Sequence, residues 1–167
     1  TLLDSFVIDF YIFPLSVLDG TTVLAYYAPI VELDGKPSGL KAFFNDGSLH
    51  WEFKNVFKIK DGKYVDVRIS ENKLTPVDEW HHHAIYYNSK NGLLTSFFDG
   101  KLSGLEWLTE SKGESRTILR GSFSPMLNVP LEIGDSFLGY IDEFRIKRIR
   151  KEISPSNTSL EKLLFNL

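Results

Sequence analysis

Three consecutive histidines, His81-His82-His83, are the residues that most invite a chemical reading. A metal site is the first chemistry they suggest. In an extended strand successive side chains point to opposite faces, so His81 and His83 share a side and His82 takes the other. Two imidazoles do not complete a zinc site, which wants three or four ligands. His50, the fourth histidine, could join them only from a neighbouring strand. The structural reading of the triplet is the stronger one. Cysteine is absent, which removes disulfides, thiolate metal sites and cysteine nucleophiles together.

Carboxylates are the next group. A retaining glycosidase needs two carboxyl groups about 5 to 5.5 Å apart. Asp142 and Glu143 are adjacent and so point to opposite faces, their i+2 neighbours being Phe144 and Arg145. Glu132 is followed two residues later by Gly134, and Asp9 has Tyr11 at that spacing. No single strand offers a matched acidic pair, and no catalytic residue is expected. There is no Gly-x-Ser-x-Gly elbow, phosphate loop, dinucleotide fingerprint or helix-flanked calcium loop. Asp19, Asp34, Asp46, Asp61, Asp99 and Asp135 sit in turn-like contexts. They leave calcium on irregular loops open, although turn-forming side chains explain them without an ion. No cofactor is expected.

The remaining candidates are aromatic. Sugar rings stack on Trp and Tyr through their apolar C–H faces while their hydroxyls seek polar neighbours. Trp107, Tyr26, Tyr27 and Trp51 are the candidate carbohydrate-binding residues. Trp107 precedes an irregular stretch and is expected to be partly exposed. Trp51 alternates with Leu49 and Phe53, which favours the core for it. The basic run Arg145, Lys147, Arg148, Arg150 and Lys151 reads as the solvated side of a late strand, with sulfated glycans or anionic lipid as the functional alternative.

The elements that must carry these residues follow from composition and punctuation. The chain has 167 residues, which points to one domain over residues 1–167, and its first residue, Thr1, suggests a piece excised from a longer protein. Nineteen Lys and Arg against 22 Asp and Glu give a net charge of −3, without the basic footprint of a nucleic-acid binder. The most apolar stretch, Phe10 to Leu18, is broken by Pro14 and falls far short of the ~20 residues a membrane helix needs. Aromatic residues make up 14%, a skew that favours sheets.

Six Asp-Gly or Asn-Gly pairs, at 19–20, 34–35, 46–47, 61–62, 91–92 and 99–100, supply the positive φ of tight turns. Between them lie strand-like runs at 6–13, 22–27, 40–44, 49–57, 64–69, 80–87, 93–98 and 140–146. Short strands between turn signals imply a sandwich or barrel. Only the C-terminal segment has a helical period, with leucines at 160, 163, 164 and 167, and it predicts a short helix docked on the sheets.

Three ordered segments resemble the laminin-G-like, concanavalin A-like superfamily. They are Glu79-Trp80-His81-His82-His83-Ala84, then Leu94 to Lys101 ending in Asp-Gly, then Leu131-Glu132-Ile133-Gly134 with Gly139-Tyr140-Ile141-Asp142-Glu143-Phe144-Arg145-Ile146. Phe6 to Pro14 is similar to the family's first core strand. The resemblance implies an all-β fold, an antiparallel β-sandwich of the concanavalin A-like jelly-roll type, here with the short C-terminal helix. Within it Trp80 is expected to bury against the opposite sheet. Gly139 would admit a close backbone approach, and Asp142 would share the face of Phe144 and Ile146. The resemblance also implies a non-catalytic recognition module of an extracellular, periplasmic or cell-surface protein, most plausibly binding carbohydrate. A protein-interaction or assembly module is the alternative, and a glycoside hydrolase of the same fold a more remote one. The expected partners are a glycan or an extracellular protein, with no nucleic acid and no membrane insertion.

Overall fold

The computed structural model describes residues 5–28, 38–58, 64–108, 120–121 and 130–149. Within them run eleven strands: β1 (Ser5–Pro14), β2 (Thr22–Ala28), β3 (Ser38–Asn45), β4 (Ser48–Lys58), β5 (Tyr64–Leu74), β6 (His81–Asn88), β7 (Leu93–Phe98), β8 (Lys101–Trp107), β9 (Arg120–Gly121), β10 (Glu132–Ile133) and β11 (Gly139–Ile149). They form two antiparallel sheets. One has the order β11-β1-β6-β7-β8; the other runs β10-β2-β3-β4-β5, with β9 paired to the far end of β4. The first and last strands are neighbours, a non-sequential pairing that closes the chain on itself. No helix of the described residues is long and apolar enough to cross a membrane.

Turn chemistry sets the hairpins. Asp46 and Gly47 have φ of 51° and 71°, and Asp99 and Gly100 have 46° and 73°. Both pairs form two-residue loops with positive φ at each position, whose twist matches the strands they join. They connect Asn45 to Ser48 between β3 and β4, and Phe98 to Lys101 between β7 and β8.

Period-two burial places Phe6, Ile8, Phe10 and Ile12 of β1 against Leu40, Trp51 and Phe53 of the other sheet in one core. Trp51, not Trp80, is the tryptophan in that core, at 0% exposure. Trp80 is 50% exposed, contrary to expectation. It immediately precedes β6, and along that strand it keeps the parity of His82 and Ala84, on the outer side of the sheet. There its ring meets the Phe13 ring edge-on at 5.7 Å.

A second correction concerns β11. From the pair Asp9–Arg145 to the pair Tyr11–Asp142, β1 advances two residues and β11 three. The extra residue is a bulge at Glu143, whose φ is +47°. Alternation therefore inverts there: Tyr140 and Asp142 share the outer face with Arg145, while Ile141 and Phe144 pack on the core. Asp142 does not share the face of Phe144. It is exposed and accepts the Glu143 N–H at 2.7 Å.

Strand β8, which the sequence pattern does not predict, carries no clear alternation. It is an edge strand whose neighbour across the sandwich is β5. The sheets approach so closely there that a Cβ on Gly104 would lie 2.6 Å from the Ser70 carbonyl oxygen. The backbone N–H of Asn72 donates to Ser103 Oγ at 3.1 Å, tying the two edges. Gly139 does admit a close approach: a Cβ there would collide with the Phe13 carbonyl oxygen and the Phe137 ring. The expected C-terminal helix and most of the irregular stretch before Pro130 lie outside the described residues.

Candidate functional site

Of the four expected aromatic residues, Trp51, Tyr26 and Trp107 do not converge. Trp51 is enclosed, with its indole N–H donating to Glu71 Oε1 at 3.3 Å, and it offers no face to a ligand. Tyr26 is half-buried and shares the face of its pair partner Leu40, toward the space between the sheets. Tyr27 pairs with Gly39 through its backbone; its side chain lies outside what is described. Trp107 is half-buried on β8, at the edge of the opposite sheet and paired with Leu93.

The histidine triplet is structural, each ring held by a carboxylate from a different element. His81 Nδ1 lies 3.0 Å from Asp99 Oδ2 in the β7–β8 turn. His82 Nε2 lies 3.1 Å from Asp9 Oδ1 of β1. His83 Nδ1 lies 2.9 Å from Glu71 Oε2 of β5, across the sandwich. With Trp51 on its other oxygen, Glu71 ties both sheets to one buried carboxylate.

His50 sits apart, on the outer face of the six-stranded sheet. Its Nδ1 receives the Arg68 Nε–H at 3.3 Å and lies 2.7 Å from Ser70 Oγ, while Nε2 faces the Asn45 carbonyl at 3.2 Å. Burial first and the Arg68 cation second hold its pKa below the usual 6.5. The folded protein thus binds this proton less readily than the unfolded chain, so acidification through 6.5 favours unfolding. His50→Gln is expected to lose less melting temperature than the parent between pH 7 and pH 5, with equal stability loss in calorimetry counting against this.

Among the described residues no three His, Asp or Glu side chains are grouped as a metal site requires. Three of the turn aspartates accept hydrogen bonds from local donors. Asp19 Oδ1 accepts the Asp46 N–H at 2.7 Å, Asp46 accepts from Asn45 Nδ2 at 2.7 Å, and Asp99 accepts the His82 N–H at 2.8 Å. Asp34 and Asp61 fall outside the described residues.

The residues that do come together are ones whose grouping alternation alone does not reveal. On the outer face of the five-stranded sheet, Phe13 of β1 pairs with Tyr140 of β11. The Phe13 ring meets Tyr140 at 5.9 Å and Trp80 at 5.7 Å, both edge-on at 66°. Trp80 and Tyr140 are 50% and 60% exposed. Two residues back along β1, Tyr11 lies over the His82 ring at 4.5 Å and pairs with the exposed Asp142. Beneath this row Asp9, fully buried, holds the Arg145 guanidinium through Nε at 2.9 Å and Nη2 at 2.6 Å. Burial alone would lower the Arg145 pKa, but the hydrogen bonds and charge of Asp9 outweigh it and raise it. The arrangement is an aromatic platform beside carboxylate acceptors and a fixed cation, groups suited to a ring with apolar faces and hydroxyl edges. The signal available in the sequence was parity: Phe13 and Tyr11 share one face of β1, and Trp80 keeps the parity of His82.

No protein-family model matches the chain, and no curated protein sequence matches it. Solved structures do. The CBM40 of a Ruminococcus gnavus IT-sialidase is 15% identical with a TM-score of 0.57, covering 92% of this chain and 80% of that one. The same module described as bound to α2,3 sialyllactose gives 16% identity and a TM-score of 0.55 over 92% and 79%. The mouse laminin α1 chain, domains LG4-5, is 16% identical with a TM-score of 0.53, covering 89% of this chain and 36% of that one. The chain thus spans about a third of that laminin fragment. The sandwich of residues 5–149 has the concanavalin A-like jelly-roll fold.

Proposed function

We propose that this domain is a non-catalytic recognition module that binds carbohydrate on the outer face of its five-stranded sheet, at Phe13, Trp80 and Tyr140. The observation that carries the reading is the half-exposed pair Trp80 and Tyr140 held edge-on by Phe13. Aromatic side chains this exposed gain little by folding, and a rigid sheet holds them ready for a ligand at small entropic cost. Asp142 and Glu143 beside them offer acceptors for hydroxyl groups. The sialyllactose-bound CBM40 of similar fold supports a glycan ligand for this chain too. Extracellular, periplasmic or cell-surface placement, as one module of a longer protein, belongs to the same reading.

The buried carboxylates favour binding over catalysis, since Asp9 and Glu71 both serve as acceptors for core side chains. A protein partner is the second reading. It is favoured by Leu15 and Leu138, which continue the β1–β11 ladder past Phe13 and are 45% and 60% exposed.

A glycan array probed with and without chelator tests the first reading. Binding to at least one glycan class is expected, with Trp80→Ala weakening it about tenfold or more at unchanged melting temperature. That loss corresponds to about 1.4 kcal/mol, within the range of a stacked aromatic contact. Silence across a broad array, with a protein captured through the Leu15 and Leu138 side, would favour the second reading. New reducing ends from any polysaccharide would overturn both.

A further inference from the structure

We propose that the outer face of the six-stranded sheet holds a binding site for a tetrahedral oxyanion of the sulfate class, formed by Lys41, Arg68 and Ser70 around the Phe43 ring. Alternation sets the face. Ala42, Trp51 and Ile69, paired across β3, β4 and β5, point into the core, so their sequence neighbours Lys41, Phe43, His50, Glu52, Arg68 and Ser70 point away from it. The Lys41 ammonium lies 5.0 Å from the Phe43 ring centroid and the Arg68 guanidinium 4.8 Å from it. Two positive charges thus gather at one ring, within a Debye length of each other at moderate salt. Attraction to the ring holds both in place. The His50 ring, stacked on Phe43 at 5.6 Å, also accepts the Arg68 Nε–H at 3.3 Å.

The neighbouring carboxylates are turned elsewhere. Glu52 pairs in register with Lys41 on one side and with Arg68 on the other, yet its carboxylate meets Lys54 Nζ at 3.5 Å. Asp66 accepts the Asn55 N–H at 3.0 Å. Among the described residues neither Lys41 nor Arg68 has a carboxylate in ion-pair range. The donors suit oxygens that point several ways. Lys41 comes from β3 and Arg68 from β5, across β4, and the Ser70 hydroxyl is a third donor. A planar carboxylate is satisfied by one guanidinium fork. Arg68 and Ser70 are exposed and Lys41 half-buried, so a ligand can reach them. His50 couples the site to pH. Its Nε2 donates to the Asn45 carbonyl at 3.2 Å, so the Nδ1 of the neutral ring accepts from both Arg68 and Ser70. Protonation turns Nδ1 into a donor and releases both groups toward the anion. The other charges facing His50 are Asp46 of the β3–β4 turn, Glu71 of β5 and, across Phe43, Lys41.

The test titrates the intact protein with sodium sulfate at constant ionic strength, balanced with chloride, and follows the His50 ring protons by NMR, assigned with His50→Gln. Sulfate is expected to raise the His50 pKa, and its affinity to rise at least about threefold from pH 7.5 to pH 5.5. Lys41→Gln and Arg68→Gln should each weaken binding at least about fivefold, and Glu52→Gln should leave it as tight or tighter. Lys101→Gln, the same loss of charge on the other sheet, should leave it unchanged. A response to chloride alone as large as that to sulfate, or one that survives Arg68→Gln, would overturn the proposal. Glucose 6-sulfate matching inorganic sulfate would add sulfate esters of sugars to the ligands, and binding of the free ion alone would assign the site to inorganic sulfate. The site lies on the sheet opposite Trp80, so neither this result nor the glycan array decides the other.

Discussion

Glu71→Leu is expected to lower unfolding free energy by about 3 to 5 kcal/mol, the range for removing one member of a buried polar pair. Glu71 is 3% exposed, and its two oxygens serve Trp51 Nε1 and His83 Nδ1, both on residues with 0% exposure. Leucine fills similar volume but accepts nothing. Each donor left without a partner costs about 1 to 3 kcal/mol, and the added apolar contact offsets only part of that. Glu71→Gln keeps an acceptor for one donor and should cost less than half as much. Urea denaturation at pH 7 is the measurement, with the slope unchanged so that the midpoint shift reads stability. A loss below about 1 kcal/mol for the leucine variant would mean that the carboxylate is not the tie between the sheets.

Asp9→Ala should cost about 2 to 4 kcal/mol, somewhat less for a physical reason. Its Oδ1 receives three donor atoms, His82 Nε2, Arg145 Nε and Arg145 Nη2, and so joins β6, β1 and β11. Arg145, however, is 27% exposed in its side chain and already has Glu143 at 3.7 Å, so water and a second carboxylate can take up its charge. A double-mutant cycle with Arg145→Met separates the pair from the rest. A coupling above about 1 kcal/mol is expected for groups in one network, and additive losses would place the stabilisation in His82 alone. On the carbohydrate-binding function proposed above, Asp9→Ala should also weaken that binding through the loosened Tyr11 and His82 rings, whereas Glu71→Leu, deep in the core, should not while the protein is folded.

The sandwich was legible because its signals are local. Asp46-Gly47 and Asp99-Gly100 announce their hairpins, and the alternation through Leu49, Trp51 and Phe53 announces its buried face. What alternation cannot announce is an inserted residue. The bulge at Glu143 reverses the faces of everything on one side of it, so Asp142 and Phe144 look like companions in sequence and are not. Trp80 failed for a related reason: a large ring beside a core strand is read as core unless the parity of its neighbours is followed. The candidate site was less legible still. Phe13, Trp80 and Tyr140 come from three parts of the chain, and only the pairing of β1 with β11 and β6 brings them side by side. The carboxylate partners of the histidines are likewise separated from them by 12 to 73 residues.

The bulge has a further consequence at the margin of the sheet. Among the described strands β11 has a neighbour on one side only, and a straight terminal strand of eleven residues would be a template for another molecule to zip onto. The twist at Glu143 interrupts that template near its middle. Ribbon-like association of neighbouring molecules is thereby discouraged.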